Sequence, residues 1–304
     1  MKQALHMLDL CRQWVQQRLT TYHGRLVLAG LAVGVIYSPF WLYDIAISTA
    51  RGSASLLVAS AFGLGLYQLW TQRHQLAQVQ ASNEDRWLGH LMIFAGLGAA
   101  PFCLFTEWAQ RLVWLFILAG IAISTWGLSF FSRHIAAVIL IVMGLFPSPA
   151  IVSRMLWDTL TPPEMLERFM AWSGGLGLRL IGQTVEVNQS YITLPEGTVL
   201  VDWGCSGYDL ACIGAAASLL MALYLNQSFA RTVVLILIGI VLALMANVPR
   251  IMLMAMADAY WGPESFEFWH GFWGGQIFLT ILFTVHYYVV MALINQQSPK
   301  SKSC

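Results

Sequence analysis

The sequence predicts an all-α, polytopic membrane protein: a bundle of about eight transmembrane helices with a small outer subdomain. Hydrophobic residues make up 58% of the 304 residues and charged residues only 10%, against roughly 25% charged residues in soluble domains. Thirteen tryptophans are present, and their amphipathic rings favour membrane interfaces. A soluble fold of this length could not cover so much apolar surface with polar groups. We therefore expect lipid to surround most of the chain.

Apolar stretches long enough to cross a bilayer divide most of the sequence. A transmembrane helix needs about 20 mostly apolar residues. We assign eight spans, at roughly 26–48, 53–70, 88–106, 112–131, 135–157, 206–225, 232–257 and 272–294. The prolines of Pro147-Ser148-Pro149 are expected to kink or break the fifth span. The first run is too long for a signal-peptide core and has no cleavage site after it, so we expect it to stay as an anchor.

The spans define the expected domain organisation. Residues 1–25 form a cytoplasmic segment, residues 26–294 the catalytic transmembrane domain, and residues 295–304 a cytoplasmic tail. Apolar residues recur at near-helical spacing in the first segment, which fits an interfacial amphipathic helix. A short soluble cap fits this segment equally well.

The placement of basic residues predicts the orientation. With the N-terminus inside, ten of the 16 Lys and Arg residues face the cytoplasm, which agrees with the positive-inside rule. An even number of spans then returns the C-terminus to the same side. We expect a multi-pass protein of the inner (plasma) membrane, in contact with membrane lipid. A net charge of +1 gives no indication of a nucleic-acid partner.

One expected outer segment, residues 158–204, is long enough to carry structure of its own. A helix is predicted over about 163–181. The apolar runs 184–187 and 198–201 flank Pro195-Glu196-Gly197 and are typical of a β-hairpin, which we expect over the sixth span. Long loops with internal structure are more often functional than idle.

Three polar residues are predicted to reach the same depth, near the outer face. Cys205 lies where the sixth span enters the membrane, Arg250 lies late in the seventh span, and His270 precedes the eighth. Each has a simpler interpretation when taken alone. A cysteine in a membrane helix is usually a small apolar filler, a lone arginine near a helix end snorkels to the interface, and a histidine beside tryptophan fits an interfacial belt.

Taken together, the three residues suit nucleophilic catalysis. A thiol must ionise to attack, and a cationic neighbour and a helix N-terminus, both expected at Cys205, would lower its pKa. A histidine can accept the thiol proton and return it to a leaving amine. An arginine can stabilise the oxyanion of a tetrahedral intermediate. No CxxC motif or cluster of Cys and His is present, so we expect no metal and no cofactor.

These residues and their surroundings resemble the exosortase/archaeosortase family of eight-span cell-surface enzymes. The resemblance is carried by Cys205-Ser206-Gly207, by an Asn-x-x-Arg pattern at Asn247 and Arg250, and by His270 with Gly274 and Gly275. Residues 182–195 are also similar to the segment that precedes the family's cysteine. The resemblance covers residues 180–290 best, whereas the first 150 residues agree only in hydropathy.

The resemblance implies a cysteine peptidase/transpeptidase with Cys205 as nucleophile, His270 as acid/base and Arg250 as oxyanion stabiliser. Asn247, Asp209 and Ser206 are candidate supporting residues. The implied substrates are secreted proteins with a C-terminal sorting signal of the PEP-CTERM type: a short motif, one membrane span and a basic tail. Cleavage would occur at the outer face, with transfer of the protein to a surface acceptor.

Two residues depart from the family pattern, and both directly follow the cysteine motif. Tyr208 stands where an aliphatic residue is expected, and Asp209 adds a carboxylate in the first turn of the sixth span. Asp209 would favour the helix N-terminus, pair with Arg250 or His270, or simply be solvated. These departures suggest a divergent subgroup, such as the cyanobacterial-type exosortases.

Two other functions remain open from the sequence. Gly204-Cys205-Ser206-Gly207 also fits the Gly-x-Ser-Gly motif of rhomboid proteases, with Ser206 as nucleophile and His270 as base, although that mechanism leaves Arg250 unused. A non-catalytic transporter or scaffold is the second alternative. Transporters usually show repeated halves and polar groups near the bilayer midplane, whereas here the polar residues concentrate at one edge.

Overall fold

The computed structural model describes residues 16, 19–50, 55–146 and 149–295. It confirms an all-α polytopic membrane fold with a small antiparallel sheet. Most of the predicted N-terminal segment 1–25 and of the tail 295–304 lies outside the described residues. The helices are α1 (Tyr22–Ala50), α2 (Ser55–Thr71), α3 (Arg73–Leu76), α4 (Asn83–Ala99), α5 (Glu107–Trp126), α6 (Ser129–Arg133), α7 (Ile135–Leu145), α8 (Pro149–Leu160), α9 (Met165–Leu180), α10 (Tyr208–Tyr224), α11 (Phe229–Met256), α12 (Pro263–His270) and α13 (Phe272–Asn295).

Four of the helices within the described residues are long and apolar enough to cross a membrane. They cover Tyr22–Ile47, Glu107–Trp126, Phe229–Trp261 and Phe272–Ile294, and coincide with the first, fourth, seventh and eighth predicted spans. Helices α2 and α4 each have 17 residues. At 1.5 Å per residue such a helix reaches about 25 Å, which is short of a hydrocarbon core of about 30 Å. The total of eight spans therefore stays a prediction.

The fifth predicted span is two helices instead of one. Helix α7 ends at Leu145, and α8 begins at Pro149. Phe146, which precedes Pro147, is extended, with φ −64° and ψ 127°, as expected because proline disfavours the helical conformation of the residue before it. Pro147 and Ser148, the centre of the predicted break, lie outside the described residues.

The described residues group into two compact units, the first ending at Pro149 and the second beginning at Ala150. In the first unit, α1, α4 and α5 pack together. The Tyr37 hydroxyl of α1 donates to the Ala100 carbonyl at 2.5 Å, and Arg111 of α5 pairs with Asp44 of α1 at 3.0 Å. The single domain predicted over 26–294 stays a prediction.

The second unit contains all the predicted catalytic residues, and its helices α10 and α11 approach closely. A Cβ on Gly214 would lie 2.5 Å from the Gly239 carbonyl oxygen. Such small residues let membrane helices pack backbone to backbone. One turn further along α10, the buried Ser218 hydroxyl lies 2.7 Å from Nε2 of the buried His286 of α13. These contacts fix the three helices that carry or flank Cys205, Arg250 and His270.

Helix α11 ends in a wider turn that leads to α12. Residues Ala257–Trp261 form a π-helical turn, closed by a hydrogen bond of 3.0 Å from the Gly262 N–H to the Ala257 carbonyl. Gly262 has φ +86°, and Pro263 then begins α12. Proline suits the first turn of a helix because its missing N–H would have no partner there. This turn returns the chain so that α12 packs on α11.

The sheet has three strands, one more than predicted. Strands β1 (Glu186–Asn188), β2 (Tyr191–Leu194) and β3 (Gly197–Leu200) form an antiparallel meander in that order. The predicted turn at Pro195 joins β2 to β3, so the predicted pairing of 184–187 with 198–201 is wrong: both edge strands pair with β2.

The alternation of side chains in β2 explains where the sheet packs. Ile192 and Leu194 are buried and Tyr191 and Thr193 exposed. The buried face belongs to a core with Met170 of α9 and Ile251 of α11, and the sheet packs chiefly on α9, α11 and the π-helical turn. The predicted helix of the outer segment is α9. The position expected for the sheet, over the sixth span, is wrong because its apolar face has its partners on α9 and α11.

Candidate active site

Cys205 lies in a tight turn immediately before α10. Its backbone N–H donates to the Asp202 carbonyl and to the Asp202 Oδ1, both at 3.1 Å. The next hydroxyl, that of Ser206, donates to the Trp203 carbonyl at 2.8 Å. Hydrogen bonds among residues 202–206 thus hold the turn together. Cys205 is buried, with 4% exposure.

Gly207 and Asn247 hold this turn against α11. The Asn247 carboxamide is fully buried and donates through Nδ2 to the Cys205 carbonyl at 2.7 Å. Gly207 has φ +80°, and a Cβ there would lie 2.8 Å from Asn247 Nδ2. Glycine is required at this position for two reasons, since the left-handed conformation disfavours other residues and the space of a side chain is already occupied.

Arg250 lies one turn after Asn247 on α11 and reaches α12. Its guanidinium donates through Nη2 to the His270 carbonyl at 2.9 Å. Within the described residues the buried Nε has no hydrogen-bond partner, and neither has Asn247 Oδ1. A buried donor without a partner costs about 1–3 kcal/mol. The site therefore contains a cationic donor that an additional acceptor would satisfy.

The His270 side chain occupies a different position from its carbonyl. The imidazole is exposed at the C-terminal end of α12 and stacks on Phe266, with ring centroids 5.4 Å apart and an interplanar angle of 9°. No hydrogen bond joins this ring to Cys205 anywhere in the described chain. Bonds from Asn247 and Arg250 of α11 bring together the Cys205 turn and the His270 backbone, and the catalytic roles of the three residues stay predictions.

The electrostatics of Cys205 differ from the expectation. Burial raises the pKa of the Cys205 thiol to about 12, the nearby charge of Asp202 raises it further, and Arg250 acts in the opposite direction. The sequence predicted a lowered pKa. That expectation is wrong because it counted the cationic neighbour and the helix N-terminus but not burial, which disfavours a thiolate. The free site therefore holds a protonated thiol.

The predicted supporting residues have separate positions. Asp209 is exposed in the first turn of α10, and among the described residues it forms no ion pair with Arg250 or His270. Its position matches the solvated alternative. Ser206 is fully buried, and its hydroxyl is engaged with the Trp203 carbonyl. No contact brings Ser206 to His270 in the part of the chain that the structure describes.

Sequence reasoning missed two features beside the nucleophile. Asp202 contacts the Cys205 backbone, and only its position three residues before the cysteine could have indicated this. Trp203 lies between Tyr208, at 4.5 Å between ring centroids, and the Arg154 guanidinium, at 4.0 Å from the ring centre. A cation over a tryptophan face is worth about 0.5–2 kcal/mol. Sequence distance concealed this stack, because Arg154 precedes Trp203 by a whole helix and the sheet.

One turn of α11 bonds to the Cys205 turn and to the His270 backbone, and the His270 imidazole is exposed at the end of α12. Within the described residues, no group of three His, Cys, Asp or Glu side chains is placed to hold a metal ion. The chemistry available to these side chains is attack by sulfur on an electrophilic carbon, with the developing negative charge stabilised by Arg250.

The candidate site lies within a part of the chain that matches a known protein family. The sequence model of the transmembrane exosortases matches residues 52–287, which include every candidate catalytic residue and most of the predicted spans. Comparisons with curated proteins and with solved structures gave no match. Since the match covers more than half of the 304 residues, this chain belongs to the transmembrane exosortase family.

Proposed function

We propose that the protein is a cysteine peptidase/transpeptidase that cleaves the C-terminal sorting signal of secreted proteins and transfers them to an acceptor at the cell surface. The observation that carries the proposal is the pair of bonds made by one turn of α11. Asn247 donates to the Cys205 carbonyl at 2.7 Å, and Arg250 donates to the His270 carbonyl at the end of α12 at 2.9 Å. One helical turn thus joins the segments that carry the nucleophile and the base.

The proposed reaction has two steps. In the first, His270 accepts the thiol proton as Cys205 sulfur attacks the scissile carbonyl carbon, the peptide C–N bond breaks, and the proton passes to the leaving amine. The product is a thioester between Cys205 and the secreted protein. In the second, an acceptor nucleophile or water attacks the thioester, and the proton it loses restores the Cys205 thiol.

Arg250 is assigned to the oxyanion of both tetrahedral intermediates. Its Nη2 is bonded to the His270 carbonyl, while its buried Nε lacks an acceptor within the described residues. An oxyanion at Nε would satisfy that donor only during the reaction, which is the condition for catalysis rather than for tight substrate binding. One such donor is typically worth about 3 kcal/mol.

The family and the sequence support a proposal for the substrate and the location. We propose substrates with a PEP-CTERM-like signal of short motif, membrane span and basic tail. The active site would face the outside of the inner (plasma) membrane, with both termini in the cytoplasm. The divergent Tyr208 and Asp209 support the proposal of a divergent subgroup, such as the cyanobacterial-type exosortases.

The test is processing of a secreted reporter that ends in such a signal. Cys205→Ala, Arg250→Ala and His270→Ala should each accumulate uncleaved reporter while the enzyme remains inserted in the membrane. Cys103→Ala, which removes a thiol outside the site, should process normally. Arg250→Lys should restore only part of the activity, because an ammonium lacks the planar fork that binds His270 and an oxyanion together.

The same reporter separates the alternatives. Normal processing by Cys205→Ala with loss in Ser206→Ala would support the rhomboid-type mechanism instead. Normal processing by all three catalytic variants would leave a non-catalytic scaffold or transporter as the better explanation.

A further inference from the structure

Asp202 contacts the nucleophile in a way that the proposed mechanism does not use. The Cys205 N–H is shared between the backbone carbonyl and the Oδ1 of Asp202, each at 3.1 Å. The side chain of Asp202 is exposed, whereas Cys205 is 4% exposed. An exposed carboxylate therefore accepts from the backbone N–H of a buried nucleophile, and Asn247 donates to the carbonyl of the same residue.

The backbone N–H and the backbone carbonyl of Cys205 are thus both hydrogen-bonded to side chains. Asn247 of α11 donates to its C=O, and Asp202 accepts from its N–H. The peptide units on both sides of the residue are fixed, and with them the direction of the Cα–Cβ bond. A nucleophile held within about 0.5 Å of productive geometry retains the advantage of proximity, which small displacements remove.

The negative charge of Asp202 has a second effect, on the ionisation of the Cys205 thiol. The charged groups that act on the thiol are Asp202 from its own turn and Arg250 from α11, and they act in opposite directions. Tyr208, which begins α10, is the adjacent buried titratable side chain, and the exposed imidazole of His270 lies at the end of α12. Removal of the Asp202 charge alone should therefore favour the thiolate.

We propose that Asp202 is a positioning residue for Cys205: its carboxylate fixes the turn that aims the thiol, and its charge, acting against that of Arg250, adds to the effect of burial in keeping the sulfur of the free enzyme neutral. The inference rests on the proposed cysteine mechanism. A thiolate at this site would be more open to oxidation than a thiol. A neutral thiol stays inert until a base accepts its proton.

The test uses two substitutions of Asp202 and one matched control in the full-length protein. Asp202→Asn keeps an oxygen that accepts the Cys205 N–H but removes the charge. Asp202→Ala removes both the side-chain acceptor and the charge. Asp209→Asn removes an equally exposed carboxylate four residues after Cys205, which has no contact with Cys205 in the described chain. Two readouts are measured: the pH profile of Cys205 alkylation by iodoacetamide, read by peptide mass spectrometry without substrate, and kcat and KM for reporter cleavage.

Alkylation at pH 8 should become about tenfold faster in both Asp202 variants, since each unit of pKa changes the thiolate fraction tenfold. It should be unchanged in Asp209→Asn. Cleavage should fall about tenfold in kcat, with KM unchanged, in Asp202→Ala, and should be retained in Asp202→Asn because the side-chain oxygen that accepts the Cys205 N–H remains. A purely structural role would move stability but not the pH profile.

Two results would overturn the proposal. One is an Asp202→Asn pH profile that coincides with those of the wild type and Asp209→Asn, and the other is wild-type kcat in Asp202→Ala. Failure of the proposed function would look different. In that case no reporter is cleaved by any form of the enzyme, while a shifted alkylation profile in Asp202→Asn still supports the effect of the Asp202 charge on this thiol.

Discussion

Asn247 donates through Nδ2 to the backbone carbonyl of Cys205 at 2.7 Å, and both residues are buried. This bond joins the middle of α11 to the turn before α10. It assigns the asparagine of the Asn-x-x-Arg pattern a structural task that the pattern alone does not reveal. The first prediction tests it directly.

Asn247→Ala should lower the free energy of unfolding by about 1–3 kcal/mol, because it leaves the buried Cys205 carbonyl without its donor. Asn247→Asp should cost more, since it places a carboxylate in an apolar site. Thermal unfolding in detergent measures both. Asn188→Ala, at an exposed position of β1, is the control and should change stability by less than about 0.5 kcal/mol. Equal Tm values for Asn247→Ala and Asn188→Ala would contradict the assignment.

Gly207 and Gly182 form a natural pair for the second prediction. Both have positive φ, +80° and +87° respectively, but only Gly207 has a neighbour where a Cβ would lie. Gly182→Ala should cost about 1–2 kcal/mol from backbone conformation alone. Gly207→Ala should cost more and reduce reporter cleavage, because the new methyl displaces Asn247. Equal cleavage by the two variants would show that the Asn247 contact is dispensable.

The raised pKa of Cys205 gives the third prediction. With a value of about 12, the thiolate fraction should grow about tenfold per pH unit, so alkylation should accelerate without a plateau between about pH 7 and pH 10. Arg250 lowers this pKa, so Arg250→Ala should raise it further and slow alkylation at every pH in that range.

Arg168→Ala is the control for that measurement. Arg168 is half exposed and pairs with Glu164 at 3.6 Å. Its removal should leave the alkylation profile of Cys205 unchanged. A plateau near neutral pH in the wild type would mean that the thiolate is stabilised more strongly than the burial of Cys205 allows.

The fourth prediction concerns the hydrogen bond between Ser218 and His286. Ser218 Oγ donates to the Gly214 carbonyl at 2.8 Å, so its hydrogen is used and His286 Nε2 must carry the proton that it shares with Oγ. A double-mutant cycle of Ser218→Ala and His286→Ala should give a coupling of about 0.6 kcal/mol, and at most about 1.7, as for other interhelical hydrogen bonds in membranes.

Ser173→Ala provides a matched comparison for that cycle. Ser173 also donates to the carbonyl four residues earlier, at 2.8 Å, but it is only partly buried and its bond lies at the surface. Combined with His286→Ala it should show additive effects, because no contact joins the two residues. A coupling as large as that of Ser218 would indicate a general effect of serine removal instead of a specific bond.

Hydropathy predicted most of the helical architecture because burial in lipid leaves a simple signal in the sequence. The ends of α7 and α8 followed from the prolines near residue 147, and the convergence of Cys205 with Arg250 followed from topology. Strand β2 was missed because Ile192 and Leu194 alternate over only four residues, too few to distinguish a strand from a loop.

The site was only partly predictable, for a different physical reason. The pKa of Cys205 depends on how deeply the thiol is buried, and burial is a property of packing that spacing does not encode. Asp202 was overlooked because its role depends on one backbone hydrogen bond. The outward direction of the His270 ring likewise depends on a rotamer, which topology leaves open.

The contacts of Asn247 and Arg250 depend on the helical rotation between these two positions of α11. The two side chains engage different partners from positions three residues apart, and a helix turns about 100° per residue. Inserting or deleting one residue between them would rotate Arg250 away from α12 by roughly that angle, while Asn247 kept its hydrogen bond to the Cys205 carbonyl. Chain length between these two positions is therefore constrained more tightly than the identity of Val248, which lies between them and can vary in shape without changing the rotation.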